Sequence, residues 1–429
     1  MKIEIFQKKI ENIQDAGDLK KDINKNLKSP TTKLLDIILG GAIQLKASDI
    51  HFEPQTKETK IRMRIDGFLQ DIILIDAQIY QNILSRLKLV SGIKLNIRHK
   101  PQPGRFTVTI KNKEEREPIE IRSSTLPTNQ GESIVLRLLD PQSLIGLDSL
   151  GLRDGLSQIF EREIKRPNGM ILLTGPTGSG KTTTLYAFLK EIQKPGIKII
   201  TIEDPPEYQL EGITQTRVDR SRGYTFASGL KSIMRQDPDV ILIGEIRDPE
   251  TSKAAIQAAL TGHLVFSTLH TNDAPGTIAR LSSLQAKVIN IGPAINLVVA
   301  QRLVRKLCPK CKKERKITLE ELKEIKRELK EIPKSVKIPK LSTETKIFQP
   351  KGCKFCNNTG YRGRTGVFES LPIDDEIEEF ILNNPSVATL RKRAIEKGMV
   401  TLKQDGLIKI LKGVTSIEEL ERVAGELKK

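Results

Sequence analysis

Residues 175–182 read GPTGSGKT and match the phosphate-loop pattern GxxxxGK[ST] at every required position. The apolar run 170–173 precedes this motif and the helix-forming stretch 183–192 follows it, which is the strand–loop–helix order that the motif requires. Its glycines let successive backbone N–H groups surround phosphate oxygens, and the helix N-terminus adds positive potential. We therefore expect a nucleoside triphosphate to bind here and to be hydrolysed.

The loop residues can be given separate roles in nucleotide binding. Lys181 is expected to place its charge on the β- and γ-phosphates, and the Thr182 hydroxyl is expected to ligate Mg²⁺. The other nucleotide contacts are predicted at Gly175, Pro176, Thr177, Gly178, Ser179, Gly180 and Thr183.

Charge and composition restrict the environment in which this chain works. The net charge is +18, but the basic residues are spread along the chain and aromatic residues make up only 4% of it. This pattern favours a solvated surface over a nucleic-acid interface. No apolar window is long enough to span a bilayer, and the N-terminus lacks a signal-peptide pattern. We expect a cytoplasmic protein that reaches a membrane only through a partner.

Hydrophobic periodicity and turn signals divide the chain into segments. Residues 60–65 and 68–75 alternate like strands around Asp66-Gly67, a strong hairpin signal. Later, apolar strands at 170–174, 197–202, 240–243 and 264–268 alternate with helical stretches, which predicts a parallel sheet with covering helices. The predicted segments are an N-terminal extension (1–29), an α+β domain (30–140), a linker (141–151), an α/β core (152–305), a cysteine-bearing module (306–370) and a helical C-terminal region (371–429).

Acidic residues follow two of the predicted parallel strands. Because ligands bind at the carboxyl ends of such strands, these acids are candidates for catalysis. Glu207 is the predicted general base that orients or deprotonates the attacking water, while Glu203 and Asp204 would organise Mg²⁺ and its waters. Glu245 closes the apolar run 240–243 and is expected to hold the metal through water. Solvated surface carboxylates are the alternative interpretation.

Two of the four histidines flank the last predicted strand of the core. His270 follows this strand, and we expect it to sense the γ-phosphate. His263 precedes the strand and is expected to fix the local geometry. A purely structural role remains the alternative for both residues.

The four cysteines form two CxxC pairs, Cys308/Cys311 and Cys353/Cys356, separated by 41 residues. Four thiolates suit a tetrahedral Zn²⁺, and four protein ligands leave no position for a catalytic water. The pairs therefore predict a structural zinc site.

The order of these motifs closely resembles the secretion ATPase superfamily, and its closest branch looks like the type II secretion and type IV pilus assembly ATPases. The resemblance covers roughly residues 30–425. Besides the phosphate loop, it depends on TIEDPPEY (201–208), RQDPDVILIGEIRD (235–248), AALTGHLVFSTLHTNDA (258–274), QRLVRKLCPKC (301–311), GCKFCNNTGYRGRTGVFE (352–369) and GMVTLKQDGLIKILKGVTSIEEL (398–420).

This resemblance implies an α/β fold in which a PAS-like α+β domain precedes a RecA-like P-loop NTPase domain, with an inserted tetracysteine zinc module and a helical C-terminus. It implies a homohexamer that hydrolyses ATP and acts on an inner-membrane platform protein to assemble a pilus or a secretion pseudopilus. Family members direct arginines of the N-terminal domain to the phosphates, and Arg122 and Arg137 match them; Arg235 matches a family arginine near the γ-phosphate. The assembly branch has the tetracysteine module, which retraction ATPases generally lack.

The sequence also departs from the family's pattern. Pro103 replaces an acid, and Pro206 stands where Val or Ile is usual. Only about thirty residues precede the predicted α+β domain, whereas many relatives carry a further N-terminal domain. Two other functions stay open at this point. One is a DNA- or RNA-stimulated translocase or zinc-containing nucleic-acid-binding protein, and the other is a zinc scaffold that needs no nucleotide turnover.

Overall fold

The computed structural model describes residues 2–6, 12–111, 118–141 and 145–426, leaving aside the side chains of Lys2 and Lys111. The predicted extension, α+β domain, linker and C-terminal region each include a few residues outside these ranges. The chain forms two compact units. Unit 1 consists of Met1–Ser143, Cys308–Lys312 and Pro350–Gly363, and unit 2 consists of Leu144–Leu307, Lys313–Gln349 and Arg364–Lys429.

Unit 1 contains a mainly antiparallel sheet with the strand order β1-β5-β6-β7-β2-β3-β4. Its strands are β1 (Lys2–Phe6), β2 (Ala47–Pro54), β3 (Glu58–Ile65), β4 (Phe68–Asp76), β5 (Gln102–Lys111), β6 (Ile119–Thr128) and β7 (Gly131–Leu139). Its helices are α1 (Ala16–Lys25), α2 (Thr31–Gln44) and α3 (Ala77–Val90). The likeness to PAS domains stays a prediction.

Local sequence explains the hairpin of β3 and β4. Asp66 and Gly67 both have positive φ angles, 51° and 80°, as a two-residue turn matched to the twist of the strands requires. The extension, by contrast, has only weak periodicity, yet it contributes to this unit. Strand β1 pairs in parallel with β5, and α1 buries Leu19 and Ile23 in the core of the unit.

Unit 2 contains a second sheet with the order β10-β9-β11-β12-β8-β13-β16. Its strands are β8 (Gly169–Thr174), β9 (Ile199–Glu203), β10 (Thr214–Arg217), β11 (Val240–Ile243), β12 (Leu264–Leu269), β13 (Ile295–Leu307) and β16 (Tyr361–Pro372), the last beginning within unit 1. Strands β8 to β13 pair in parallel in this sheet. Parallel pairing brings the carboxyl ends of these strands to one edge.

Both faces of this sheet are buried, which explains its continuous apolar runs. In β8, Met170 and Leu172 join one hydrophobic cluster while Ile171 and Leu173 join another. The helices of the unit are α4 (Leu156–Ile164), α5 (Lys181–Ile192), α6 (Phe226–Ile233), α7 (Pro249–Leu260), α8 (Ala274–Ser283), α9 (Val288–Ala294), α10 (Leu319–Glu328), α11 (Asp375–Leu382), α12 (Val387–Glu396), α13 (Leu402–Leu411) and α14 (Ile417–Ala424).

The cysteine-bearing module predicted at 306–370 is divided between the two units. Its middle part forms α10 and the antiparallel pair β14 (Lys313–Lys316) and β15 (Lys346–Gln349) in unit 2. Helix α10 buries Leu322 and Ile325 in a cluster with residues of α13 and α14. The two CxxC pairs belong to unit 1, where the Gly363 N–H donates to Asp66 Oδ2 over 2.8 Å.

The structure thus has a mixed α/β fold. Within its described ranges, every helix is either too short or too polar to cross a bilayer.

Candidate active site

The phosphate loop connects the interior strand β8 to helix α5. Gly175, Gly178 and Gly180 all have positive φ angles, of 148°, 79° and 86°, which L-amino acids with side chains rarely adopt. Gly180 caps the helix, which begins at Lys181. The glycines of the motif therefore permit the backbone path that leads into the helix N-terminus.

Lys181 lies half-buried beside this loop. Its Nζ donates to the carbonyl oxygens of Gly175 and Pro176, over 2.8 and 3.1 Å. Burial lowers the pKa of Lys181 to about 8, although the carboxylates of Glu245 and Glu207 oppose that shift. Two predicted catalytic acids thus act electrostatically on the predicted phosphate-binding lysine.

Glu207 follows β9 and is half-buried, and a tyrosine of α5 connects its backbone to Glu203. The Glu207 N–H donates to the Tyr186 hydroxyl over 3.4 Å, and this hydroxyl donates to Glu203 Oε2 over 2.6 Å. The other oxygen of Glu203 accepts hydrogen bonds from Thr201 and Gln215. Burial raises the pKa of Tyr186, so the hydroxyl keeps its proton. The segment that carries Glu207 is therefore attached to the buried end of β9.

Glu203 and Asp204 differ in their surroundings. Glu203 is buried, while Asp204 is exposed and forms an ion pair with Arg220 over 3.3 Å. The prediction that both organise Mg²⁺ and its waters stays a prediction.

Glu245 lies just beyond β11, with a histidine beside it. Its Oε2 is 3.4 Å from His270 Nε2 and 2.5 Å from Arg247 Nε. Strand β12 holds this turn in place because Thr268 Oγ1 donates to the Gly244 carbonyl over 2.8 Å. The structure therefore brings the predicted metal-holding acid and the predicted γ-phosphate sensor together.

His263 lies at the other end of β12. Its carbonyl accepts a hydrogen bond from the Gly169 N–H at the start of β8, and its Nδ1 lies 3.0 Å from the Ala258 carbonyl. Because the phosphate loop follows the end of β8, the structure does not bring His263 to the loop. Its predicted contribution would act through β12 and stays a prediction.

Arg235 lies in a 3₁₀ turn, Met234–Gln236, after α6. Its side chain is exposed and donates to Ser232 Oγ over 3.4 Å. Its predicted position near the γ-phosphate stays a prediction.

Arg122 and Arg137 belong to unit 1. Arg122 lies on β6 directly opposite Arg137 on β7, and Arg137 Nε is 3.0 Å from Asp49 Oδ1 on β2. Arg105 on β5 lies opposite Arg122 on its other side. The two predicted arginine fingers are thus cross-strand neighbours on one face.

The four cysteines converge with the spacing that zinc requires. A tetrahedral Zn²⁺ with Zn–S bonds of about 2.3 Å places its sulfurs about 3.8 Å apart. The Sγ atoms of Cys308 and Cys353 are 3.9 Å apart, and those of Cys311 and Cys356 are 3.8 Å apart. All four sulfurs lie within 4.8 Å of one another. The residues therefore fit a structural Zn²⁺, while Thr182 and Glu245 offer the oxygen donors that suit Mg²⁺.

Comparison with known proteins decides which family this arrangement represents. Residues 24–422 match the family described as Type II/IV secretion system protein. The chain belongs to this family. The predicted superfamily and the predicted ATPase activity are thereby confirmed.

Curated relatives of this secretion ATPase are similar over nearly its whole length. It is 40% identical to the type IV pilus assembly ATPase PilB of Myxococcus xanthus over 97% of this chain and 71% of the relative. It is 42% identical to the type II secretion system protein E of Dickeya dadantii over 97% of this chain and 79% of the relative. The solved structure of the pilus retraction motor PilT with bound ADP has a TM-score of 0.59 and 25% identity, covering 90% of this chain and 95% of that one.

Sequence reasoning missed three residues that support this site. Tyr186 gives no signal, because an aromatic residue in an amphipathic helix is typical of any core. Gln301 and Arg302 are the first two residues of the motif QRLVRKLCPKC. The only signal for a role of these two residues is that they are polar and follow an apolar stretch. Their contacts with the phosphate loop depend on the pairing of β13 with β8.

Proposed function

We propose that this secretion ATPase is a homohexamer that works at the cytoplasmic face of the inner membrane. It converts ATP hydrolysis into mechanical work on a membrane platform protein, and so assembles a type IV pilus or a type II secretion pseudopilus. Its similarity to PilB and to secretion protein E supports this assignment over a general nucleotide-binding role.

One observation carries the chemical part of the proposal. The phosphate loop, Glu207, Glu245 and His270 all follow the carboxyl ends of neighbouring parallel strands in unit 2. Two of these acids influence the pKa of Lys181, so the groups share one electrostatic environment. Such a collection of cationic, acidic and backbone N–H groups suits phosphoryl transfer to water.

Each residue then has a defined task. The loop N–H groups and Lys181 bind the phosphates and stabilise charge on their oxygens. Glu207 accepts the proton of the attacking water, and Glu245 orients His270 towards the γ-phosphate. Mg²⁺, held by Thr182 and through water by Glu245, would neutralise charge on the β- and γ-phosphates. Glu203, Asp204 and His263 support this arrangement.

The arginines complete the charge stabilisation in the proposed hexamer. Arg122 and Arg137 act as arginine fingers, and Arg235 contributes near the γ-phosphate. Guanidinium groups bind phosphate oxygens in a bidentate manner and keep their charge at all relevant pH values. This role explains why two like charges are retained opposite each other on β6 and β7.

The remaining segments serve the machine mechanically. The PAS-like domain at 30–140 and the RecA-like core at 152–305, joined by the linker 141–151, would move relative to each other during turnover. The four cysteines would hold a Zn²⁺ that stabilises their surroundings and takes no part in hydrolysis.

The proposal is tested with the purified full chain. We expect a hexamer by light scattering and release of inorganic phosphate from Mg-ATP, increased by vesicles that contain the platform protein encoded beside pilin genes. Lys181→Ala serves as the inactive control. A protein that stays monomeric and releases no phosphate contradicts the proposal. Stimulation by DNA, with a steep salt dependence, would instead favour the nucleic-acid translocase.

A further inference from the structure

Two adjacent polar residues of β13 lie buried against the phosphate loop. Gln301 is 1% exposed and Arg302 is 9% exposed. Neither has a task in the chemistry proposed above. Buried polar groups are costly unless their hydrogen bonds are satisfied, so their partners indicate what they do.

Gln301 contacts both ends of the loop. Its Oε1 accepts a hydrogen bond of 2.9 Å from Thr184 Oγ1 in the first turn of α5. A Cβ atom built on Gly175 would lie 2.5 Å from the Gln301 carbonyl oxygen, and one on Gly180 would lie 2.9 Å from Gln301 Nε2. The first and last glycines of the loop therefore pack directly on this one residue.

Arg302 connects the same region to the segment that follows β12. Its Nη1 donates to the Gln301 carbonyl over 3.0 Å, and its Nη2 donates to the Asn272 carbonyl over 2.8 Å. Asn272 lies two residues beyond His270. A second hydrogen bond connects the same two segments. The Thr271 N–H, next to His270, donates to Thr174 Oγ1 at the end of β8 over 2.7 Å. The spacing between the phosphate loop and residues 270–272 is thus fixed by hydrogen bonds that are buried or partly buried.

We propose that Gln301 and Arg302 are positioning residues of the nucleotide site. Gln301 fixes the shape of the phosphate loop from behind, and Arg302 sets the distance between that loop and His270. Phosphate-binding N–H groups work only when they are held in place before the ligand arrives. This inference rests on the proposed nucleotide hydrolysis and adds two residues to its machinery.

The test compares nucleotide binding with stability. Gln301→Met keeps the volume but removes the acceptor for Thr184, and Thr184→Val removes the same bond from the loop side. We expect either change to weaken binding of a fluorescent ADP by roughly fivefold to tenfold, the effect of one buried hydrogen bond. The double variant should lose little more than either single variant, because both remove one interaction. Thr184→Ser keeps the hydroxyl that donates to Gln301, so this variant should bind ADP as tightly as the wild type does.

Arg302 is tested through the rate of turnover. Arg302→Met should lower kcat more than it raises KM for ATP, because the position of His270 changes more than the loop does. Arg302→Lys should recover part of kcat.

Arg305→Met provides a matched control on the same strand. It removes the pairing of Arg305, three residues beyond Arg302 on β13, with buried Glu419. We expect it to lower the thermal midpoint and leave ADP affinity unchanged. If Gln301→Met and Thr184→Val behave like this control, the positioning role is wrong while the proposed function stands. If the wild-type protein binds no nucleotide, the proposed function fails and this inference fails with it.

Discussion

Arg122 and Arg137 lie directly opposite each other on the antiparallel strands β6 and β7. Like charges in such positions repel and reduce the stability of a sheet. Asp49, paired with Arg137 on its other side, offsets part of this repulsion. The proposed role of both side chains as arginine fingers would account for this arrangement.

The first prediction follows from that pair. Arg122→Ala should reduce ATP turnover by at least about a hundredfold if the side chain is an arginine finger. The thermal midpoint should stay nearly the same, because the change removes both a like-charged cross-strand neighbour and a partly exposed ion pair with Glu120. Turnover and thermal unfolding are measured on the same preparation. Arg62→Ala, which removes only half-exposed pairs with Glu53 and Asp71, is the control and should change neither.

The second prediction concerns the general base. Glu207→Gln should bind ATP but hydrolyse it about 10² to 10⁴ times more slowly, the range typical of a lost general base. The exposed Glu211 of the same loop gives the control, since Glu211→Gln should hydrolyse normally. Single-turnover phosphate release and nucleotide binding are measured together. Normal hydrolysis by Glu207→Gln would assign the base to another residue.

The third prediction tests the Tyr186 hydroxyl, which bonds both the Glu203 carboxylate and the Glu207 N–H. Tyr186→Phe leaves Glu203 Oε2 without its 2.6 Å hydrogen bond, which should cost about 1–3 kcal/mol of stability. Because the Glu207 backbone also loses a partner, kcat should fall while ADP affinity stays close to that of the wild type. Tyr80→Phe removes a comparable buried bond in unit 1 and should affect stability alone. Equal kcat values for the two variants would show that the Tyr186 hydroxyl serves stability only.

The fourth prediction is a pH dependence. The pKa of Lys181 is lowered by burial to about 8, and only the protonated amine attracts phosphate. Raising the pH from 7.5 to 9 should therefore weaken ADP binding by roughly eightfold, in proportion to the loss of the protonated form. Lys181→Arg should remove this slope because a guanidinium stays charged. Fluorescent ADP titrations at each pH measure both.

The effect of Lys181 on folding stability has the opposite sign to its effect on ADP binding, and this difference serves as a check. Between pH 8 and 10.5 the unfolded chain binds the Lys181 proton that the folded chain has lost. The contribution of Lys181 to stability therefore rises with pH in this window. Weaker binding at pH 9 would then reflect deprotonation and not unfolding linked to this lysine. A binding constant that is flat between pH 7.5 and 9 would contradict the assigned role.

The fifth prediction concerns the metal. The wild-type chain should contain one zinc per molecule, and Cys353→Ser should lose it, because three thiolates bind zinc far more weakly than four. Cys353 belongs to unit 1, as do the other three cysteines. Metal loss should therefore lower the thermal midpoint of this unit and leave ADP binding by the phosphate loop intact. Full zinc content in Cys353→Ser would argue against the tetracysteine site.

Several features could be predicted because their physical cause is local. The phosphate loop, its strand and its helix occupy a short continuous stretch, and the observed bounds of β8 and α5 differ by one or two residues from the expected ones. Asp66-Gly67 forms a turn because those two residue types tolerate positive φ angles. The spacing of each CxxC pair likewise fixes two sulfur ligands without help from the rest of the chain.

Other parts of the site depend on which strands pair, and neighbouring residues do not encode that choice. The contact between Thr184 and Gln301 joins residues 117 positions apart, and it exists because β13 pairs with β8. The amphipathic pattern of α5 likewise predicts that Tyr186 is buried, but it does not indicate that the Tyr186 hydroxyl donates to the Glu203 carboxylate.

The sequence by itself determined that this chain binds a nucleotide, carries two CxxC pairs and belongs with the secretion ATPases, since the residues of each motif act within a few positions of one another. Only the tertiary structure decided that the CxxC pairs join unit 1, that β16 completes the sheet of unit 2, and that Gln301 and Arg302 support the phosphate loop. The reason is that burial and strand pairing select among distant segments of similar hydrophobicity, and that selection is made by the packing of the whole chain.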